Sequence, residues 1–290
     1  MAVEVSLEGR TALVTGGGTG IGYGIAKRLL DAGTTVTICG RRADVLDSAA
    51  DELRAAVHPT NPGAEVRTIA ADVTDEEQVA AAVAHACNDG RLDIAVANAG
   101  SAMPGPLLSQ SPDGWRFTLD INVVAPAMTI KHAALAMREG GGAIVTISSQ
   151  SAVRTAKWMA PYTVSKAAMD TLVRCAAHEL AAFGIRVNGI RPGLVPNQAI
   201  VMDEEPYVTA ISRSLLGAPG TAEQLGDSVL YLTSDLSEWV TGQVYNVCGG
   251  LSVSDYDDFG DLARMVVGED AFTAAQGPAR GPTTSQEPGA

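Results

Sequence analysis

Short apolar runs rich in β-branched residues alternate with longer amphipathic stretches along most of the chain. The runs fall at 11–15, 35–39, 66–70, 94–97, 143–148, 186–190 and 243–247, and several are apolar on both faces. Strands read this way when helices cover both sides of the sheet, because neither face meets water. Between the runs, 21–32, 43–57, 76–87, 115–138, 162–183 and 222–234 carry helical periodicity. Strand alternating with helix predicts an α/β fold: a mostly parallel seven-stranded sheet with helices on both faces, in one domain. That domain is read as residues 1–250. Residues 251–276 form a C-terminal extension, in which Leu262, Met265, Val266 and Val267 suit a short docking helix after an acidic patch. Residues 277–290, rich in Gly and Pro without periodicity, are expected to be a disordered tail.

Composition narrows the classes. An apolar fraction of 46% and a charged fraction of 18% describe an ordinary globular protein. No run approaches the roughly 20 apolar residues of a membrane-spanning helix. The opening MAVEVSLEGR carries an early Glu4 and lacks a basic start or an apolar core, so no secretory signal is expected. The expectation is a soluble, cytoplasmic protein with no membrane partner. A formal charge of −13 speaks against nucleic acid, whose phosphates are held by clustered Lys and Arg. Cys39, Cys87, Cys175 and Cys248 show no paired spacing, which predicts four small buried hydrophobes, not a zinc site. The four histidines are equally scattered, and no metal is expected.

The sharpest signal is TGGGTGIG at 15–22, directly after the first strand and opening the first helix. Glycines let the backbone turn tightly and approach a pyrophosphate, while the helix N-terminus offers free N–H groups and the positive dipole end. Gly16, Gly18, Thr19, Gly20, Ile21 and Gly22 are the candidate contacts. The spacing is not GxGxxG. It resembles the TGxxxGxG fingerprint of the short-chain dehydrogenase/reductase family. That resemblance implies a doubly wound, single-domain Rossmann sheet binding NADP or NAD.

At the end of the second strand an NAD enzyme typically places a carboxylate for the ribose hydroxyls. Here the strand ends in Gly40-Arg41-Arg42. A guanidinium grips a 2′-phosphate that a carboxylate would repel, so Arg41 and Arg42 favour NADP over NAD. By the resemblance, Asp72 and Val73 meet the adenine, and Asn98-Ala99-Gly100 matches the family's turn beneath the cofactor. Pro192 and Gly193 meet the nicotinamide, and Val195 contacts its carboxamide through the backbone. Asn197 stands where threonine is usual, and Cys248 where aspartate is common.

Hydride transfer to a ketone leaves an alkoxide that must gain a proton, and the reverse needs a base. Tyr162 and Lys166 are four apart at the start of a predicted helix and share a face. An ammonium about 5 Å away stabilises a phenolate by roughly 3 kcal/mol at an effective dielectric of 20, which draws the phenol toward a useful range. Ser149 lies upstream at the end of the fifth strand, and Asn122 in the preceding helical stretch. Asn122, Ser149, Tyr162 and Lys166 match the family's tetrad in order and approximate spacing. The resemblance implies that Tyr162 is the general acid/base, that Ser149 orients the substrate oxygen, and that Lys166 binds the nicotinamide ribose and tunes Tyr162. Asn122 is implied to hold a water in the proton relay. Ser148 is an alternative to Ser149, though the spacing to Tyr162 favours the latter. Tyr162 and Lys166 therefore count among the cofactor contacts as well.

The expected activity is hydride transfer between the nicotinamide and a secondary alcohol or ketone. Met202, Tyr207, Ile211 and Leu215 of the family's lid segment, with Met103, Trp158 and Met159, suggest an apolar substrate. Two readings stay open beside it. One is reduction of 3-oxoacyl groups on acyl carrier protein, which is itself acidic. The other is a redox sensor that binds NADP without turnover, since a fold alone does not fix function. The resemblance further implies a homotetramer, with alanine-rich 123–137 and 163–183 packing across an interface.

Overall fold

A computed structural model of the chain describes residues 5–57, 65–88, 90–196, 213–254 and 269–270. Asn197, Met202, Tyr207 and Ile211, the docking helix expected at 262–267 and the tail at 277–290 lie outside these residues.

Seven strands form one sheet: β1 (Thr11–Thr15), β2 (Thr35–Gly40), β3 (Val66–Ala70), β4 (Ile94–Ala97), β5 (Gly142–Ile147), β6 (Ile185–Pro192) and β7 (Val244–Val247). Their spatial order is β3-β2-β1-β4-β5-β6-β7, and every pairing is parallel. The helices between them are α1 (Gly20–Asp31), α2 (Ala43–Val57), α3 (Glu76–Ala86), α4 (Pro112–Leu119), α5 (Ala125–Met137), α6 (Ala160–Leu180) and α7 (Ala222–Thr233).

The period of two along each strand sorts the core into two layers. Ala12 and Val14 of β1 join Ile25, Leu29, Leu46, Val229 and Leu232 on the α1, α2 and α7 face. Leu13, between them, joins Val79, Val83, Ile130, Met137 and Val173 on the α3, α5 and α6 face. β1 is buried along its whole length, as the sequence predicts for a strand covered on both sides. Sequence order reverses between β1 and β4, and ligands bind in the crevice beyond the strand C-termini at such a switch point.

Two expectations need correction. The predicted helix at 115–138 starts earlier, at Pro112, where Ser111 accepts from Gly114 N–H and proline occupies the first turn. It is also interrupted by a π turn at Asp120–Val124, which separates α4 from α5. The cysteines are all free, but only Cys39 is buried, while Cys87 and Cys248 are half-buried and Cys175 is exposed. Burial pushes the Cys39 thiol up to about 12. Among the described residues, no helix is long and apolar enough to cross a membrane, and no cluster of His, Cys, Asp and Glu is arranged to hold a metal.

Candidate active site

The glycine turn runs from the end of β1 into α1. Gly16 adopts φ +65°, in the left-handed region that favours glycine. A Cβ on Gly22 would lie 2.2 Å from the Gly16 carbonyl oxygen, so turn and helix meet with no room for a side chain. The N-cap of α1, Thr19, makes no side-chain capping bond, and no acidic residue occupies the first turn. By contrast, α3, α4 and α7 are capped by Asp75, Ser111 and Thr221. The amides of Gly20, Ile21 and Gly22 are left without a side-chain acceptor and fit a pyrophosphate.

Asn98 braces this turn from the neighbouring strand. Its Nδ2 donates to the carbonyls of Thr15 at 2.8 Å and Gly16 at 3.2 Å. Thr15 Oγ1 in turn accepts from the N–H groups of Asn98 and Ala99. Thus the segment after β4 holds the loop after β1.

Arg41 and Arg42 are exposed beyond β2, and Asp72 is half-buried beyond β3. Asp72 accepts from Thr74 N–H at 3.0 Å and Thr74 Oγ1 at 2.7 Å. Those bonds, with the Arg41 charge nearby, hold its carboxyl below the usual range. Val73 beside it is buried. A cleft of about 480 Å³ runs between α1 and α2, lined by Thr19, Tyr23, Asp44, Ser48 and Glu52.

The four candidate catalytic residues converge beyond β4 and β5. Ser149 follows β5, and its Oγ accepts from Ser151 N–H at 3.1 Å. The same hydroxyl faces the Tyr162 phenol on the first turn of α6 and favours its phenolate. One turn further, the Lys166 ammonium lies 5.7 Å from the centre of the Tyr162 ring and donates to the Ile147 carbonyl at 2.9 Å. Lys166 is 3% exposed, and burial brings its ammonium down to about 8 against the opposing charge of Asp170.

Asn122, fully buried, sits in the π turn. Such turns are frequent at functional sites because they displace a residue from the helical register. Its Nδ2 donates to Ser101 O at 2.7 Å and Ser165 Oγ at 3.1 Å, and its Oδ1 accepts from Ser101 N–H at 3.1 Å. Both amide hydrogens are committed, and Oδ1 has a second lone pair beyond the one that Ser101 N–H occupies. Gly100 keeps this corner open: a Cβ there would lie 2.8 Å from Asn122 Oδ1 and 3.4 Å from Lys166 Nζ.

Two sequence expectations change. The phenol of Tyr162 is raised, because burial disfavours the phenolate more than the facing Ser149 hydroxyl favours it. The expected lowering by Lys166 is not met by the chain's own groups. Ser148 is no substitute for Ser149: it is buried and donates to Asp170 Oδ1 at 2.6 Å. Asp170 was not singled out by sequence reasoning, although it lies four residues beyond Lys166 on the same helix.

On the far side, Gly193 N–H donates to Val247 O at 3.1 Å, so the Pro192-Gly193 turn is fixed against β7, and Val195 is buried. Cys248, next along, donates to Ser252 Oγ at 3.4 Å.

A glycine turn at a helix start, bracing from β4, and a serine–tyrosine–lysine cluster at the next strand end define a nicotinamide-dependent oxidoreductase on a Rossmann sheet. A family model described as "Enoyl-(Acyl carrier protein) reductase" matches residues 16–252. The cis-4-hydroxycyclohexanecarboxylate dehydrogenase of Sinomonas cyclohexanicum is 35% identical over 245 residues, covering 83% of this chain and 96% of the relative. The gluconate 5-dehydrogenase of Gluconobacter oxydans is 35% identical over 254 residues, covering 86% and 97%. A solved short-chain type dehydrogenase/reductase from Mycobacterium ulcerans superposes with a TM-score of 0.82 at 38% identity, over 93% of this chain and 99% of that one. The chain belongs to the short-chain dehydrogenase/reductase family. It is an oxidoreductase that exchanges a hydride between a nicotinamide dinucleotide and a secondary alcohol or the corresponding ketone.

Proposed function

We propose that Tyr162 is the general acid/base of this reaction, assisted by Ser149, Lys166 and Asn122. The observation that carries this is the Lys166 ammonium 5.7 Å from the centre of the Tyr162 ring and fixed by Ile147 O at 2.9 Å, with the Ser149 hydroxyl facing the phenol. The bound dinucleotide supplies or accepts the hydride. In reduction, Tyr162 gives its proton to the carbonyl oxygen as it becomes an alkoxide; in oxidation, the phenolate takes the hydroxyl proton. Ser149 holds that oxygen in line. Lys166 holds the nicotinamide ribose and offsets the phenolate charge, and Asn122 holds the water that returns the proton from solvent.

The preferred dinucleotide is NADP, supported by Arg41 and Arg42 exposed beyond β2. The glycine turn, Asp72, Val73, Asn98, Ala99, Gly100, Pro192, Gly193 and Val195 make up the remaining contacts. The substrate is apolar, a reading supported by exposed Met103, Trp158, Leu215 and Leu216 in the segments flanking the cluster. The chain is read as one catalytic domain to residue 250. Arg154, just past Ser149, donates to Leu251 O and, at 3.0 Å, to Ser254 Oγ, so the extension begins against the site. A homotetramer is supported by exposed Val124, Leu135 and Val164 on and beside α5 and α6.

The test follows NADPH and NADH absorbance with cyclohexanone and steroid ketones, gluconate-like polyols and a 3-oxoacyl thioester. We expect turnover of the apolar ketones, and a loss of about 10³-fold in kcat for Tyr162→Phe. Unchanged activity in that variant refutes the mechanism, and turnover of polyols alone overturns the substrate class. Dinucleotide binding without turnover of any compound points to a sensor.

A further inference from the structure

Beneath the catalytic cluster lies a buried polar network outside the tetrad. Asp170, 4% exposed, projects from α6 one turn beyond Lys166. Its Oδ1 accepts from Ser148 Oγ at 2.6 Å, and its Oδ2 accepts from Arg191 Nε at 2.7 Å. Ser148 directly follows β5, and its N–H donates to Ile190 O on β6 at 2.8 Å. Arg191, also on β6, carries the network onward to Val244 O at 3.1 Å and Asn246 Oδ1 at 3.3 Å on β7. One carboxylate thus joins the catalytic helix to two strands.

What that carboxylate fixes is the stretch of three residues on which the cluster depends. The carbonyl of Ile147 receives the Lys166 ammonium, Ser148 is tied to Asp170, and Ser149 meets the Tyr162 phenol. We propose that Asp170 is a positioning residue: it clamps the end of β5 to α6 and β6, so that Ile147 O and Ser149 Oγ face Lys166 and Tyr162 at working distance. This rests on the catalytic reading of Ser149, Tyr162 and Lys166 given above.

Structural support alone would not require an ion. A buried ion pair is often no more stabilising than apolar residues of the same volume, so its presence here calls for another use. The charged groups facing Asp170 are Lys166 on α6 and Arg191 on β6, and β5 contributes the Ser148 hydroxyl. Lys166 is itself faced by Tyr162 and Asp170 on α6, by Ile147 O from β5, and by the Gly100 corner with Asn122. Burial works against the ammonium and Asp170 works for it. The carboxylate therefore also helps keep Lys166 in the charged form that the phenolate needs.

The test uses the full chain and the variants Asp170→Asn and Ser148→Ala. The chain has four lysines, Lys27, Lys131, Lys157 and Lys166, so ¹³C labelling at the lysine ε-carbon gives a spectrum simple enough to titrate, with Lys166→Met assigning the signal. Wild-type Lys166 is expected to titrate near about 8. In Asp170→Asn the midpoint is expected to drop by about one pH unit, as follows when a facing opposite charge is removed. In the same variant the alkaline fall of kcat moves to lower pH. Ser148→Ala keeps the Asp170–Arg191 pair but cuts the tie to β5. Its kcat is expected to fall about tenfold with little change in KM for the dinucleotide, because misplacement costs the chemical step. An unmoved Lys166 midpoint in Asp170→Asn overturns the inference. If Asp170→Asn does not fold, wild-type kcat in Ser148→Ala overturns it. Tyr162→Phe separates this from the larger reading: if that variant is fully active, the catalytic assignment has failed, whereas an inactive Tyr162→Phe beside wild-type-like Asp170 and Ser148 variants refutes only the positioning role.

Discussion

Replacing Lys166 by methionine removes a buried ammonium while roughly keeping its volume. In the native protein burial brings this ammonium down to about 8, against an ordinary lysine at 10.5. At 1.36 kcal/mol per pH unit, holding it charged in the interior costs about 3 kcal/mol. Below pH 8 the lysine is protonated in both the folded and unfolded chain, and the whole cost is present. Between pH 8 and 10.5 the folded chain has released the proton while the unfolded chain still binds it. Stability contributed by this residue therefore rises with pH through that window. Cys39, pushed up to about 12, acts in the opposite direction above its ordinary 9 and flattens the wild-type curve. The difference between wild type and Lys166→Met cancels Cys39 and isolates the lysine. At pH 7 the variant escapes the burial cost but loses the bond to Ile147 O, worth about 1.5–3 kcal/mol for a charged donor, so the two proteins stand close in stability. By pH 10 wild type should have gained about 2–3 kcal/mol relative to the variant. Urea denaturation followed by tryptophan fluorescence, with no dinucleotide added, measures both at each pH. A difference that stays constant from pH 7 to 10 refutes the account of Lys166 as a strained, functional cation.

Two further outcomes test the cofactor end. Arg41→Ala with Arg42→Ala should raise KM for NADPH about 10- to 100-fold, the loss expected for charge-assisted bonds to a phosphate, while KM for NADH stays put; equal effects on both dinucleotides overturn the assignment of these arginines. Gly22→Ala places a methyl 2.2 Å from the Gly16 carbonyl oxygen, so the turn must open. It should lose about 1–3 kcal/mol of stability and at least tenfold in dinucleotide affinity by calorimetric titration, and parental affinity would show that the turn does not shape the site.

Hydrophobic periodicity located every strand, and for β1, β3 and β4 it placed both ends where the structure has them. Parallel strands buried on both faces leave an unambiguous apolar run. Features that depend on one residue escaped it. The π turn at Asp120–Val124 adds a single residue to an otherwise helical stretch, too little to disturb an average over several turns, yet it is what brings Asn122 to Ser101 and Ser165. Trp158 adopts φ 69° with its carbonyl accepting from Gly105 N–H at 2.7 Å, and no glycine marks that left-handed residue in the sequence. Cys175 was read as buried because cysteine usually is, but on α6 it is exposed.

The tetrad was legible for a different reason than the network beneath it. Tyr162 and Lys166 share one helix at one spacing, and Ser149 lies a short loop away, so order along the chain nearly implies proximity. Asp170 shares that helix too, but its meaning lies in partners 22 residues before it and 21 after it, Ser148 and Arg191. Only the pairing of β5 with β6 brings those two together. Because consecutive residues at a strand end point in different directions, 147, 148 and 149 serve Lys166, Asp170 and Tyr162 in turn. A one-residue slip of β5 that brought Ile147 to the place of Ser148 would exchange those duties and deprive the buried carboxylate of its hydroxyl donor. Register is thus the quantity the site depends on, and a carboxylate reaching from the catalytic helix to the end of β5 is well placed to hold it.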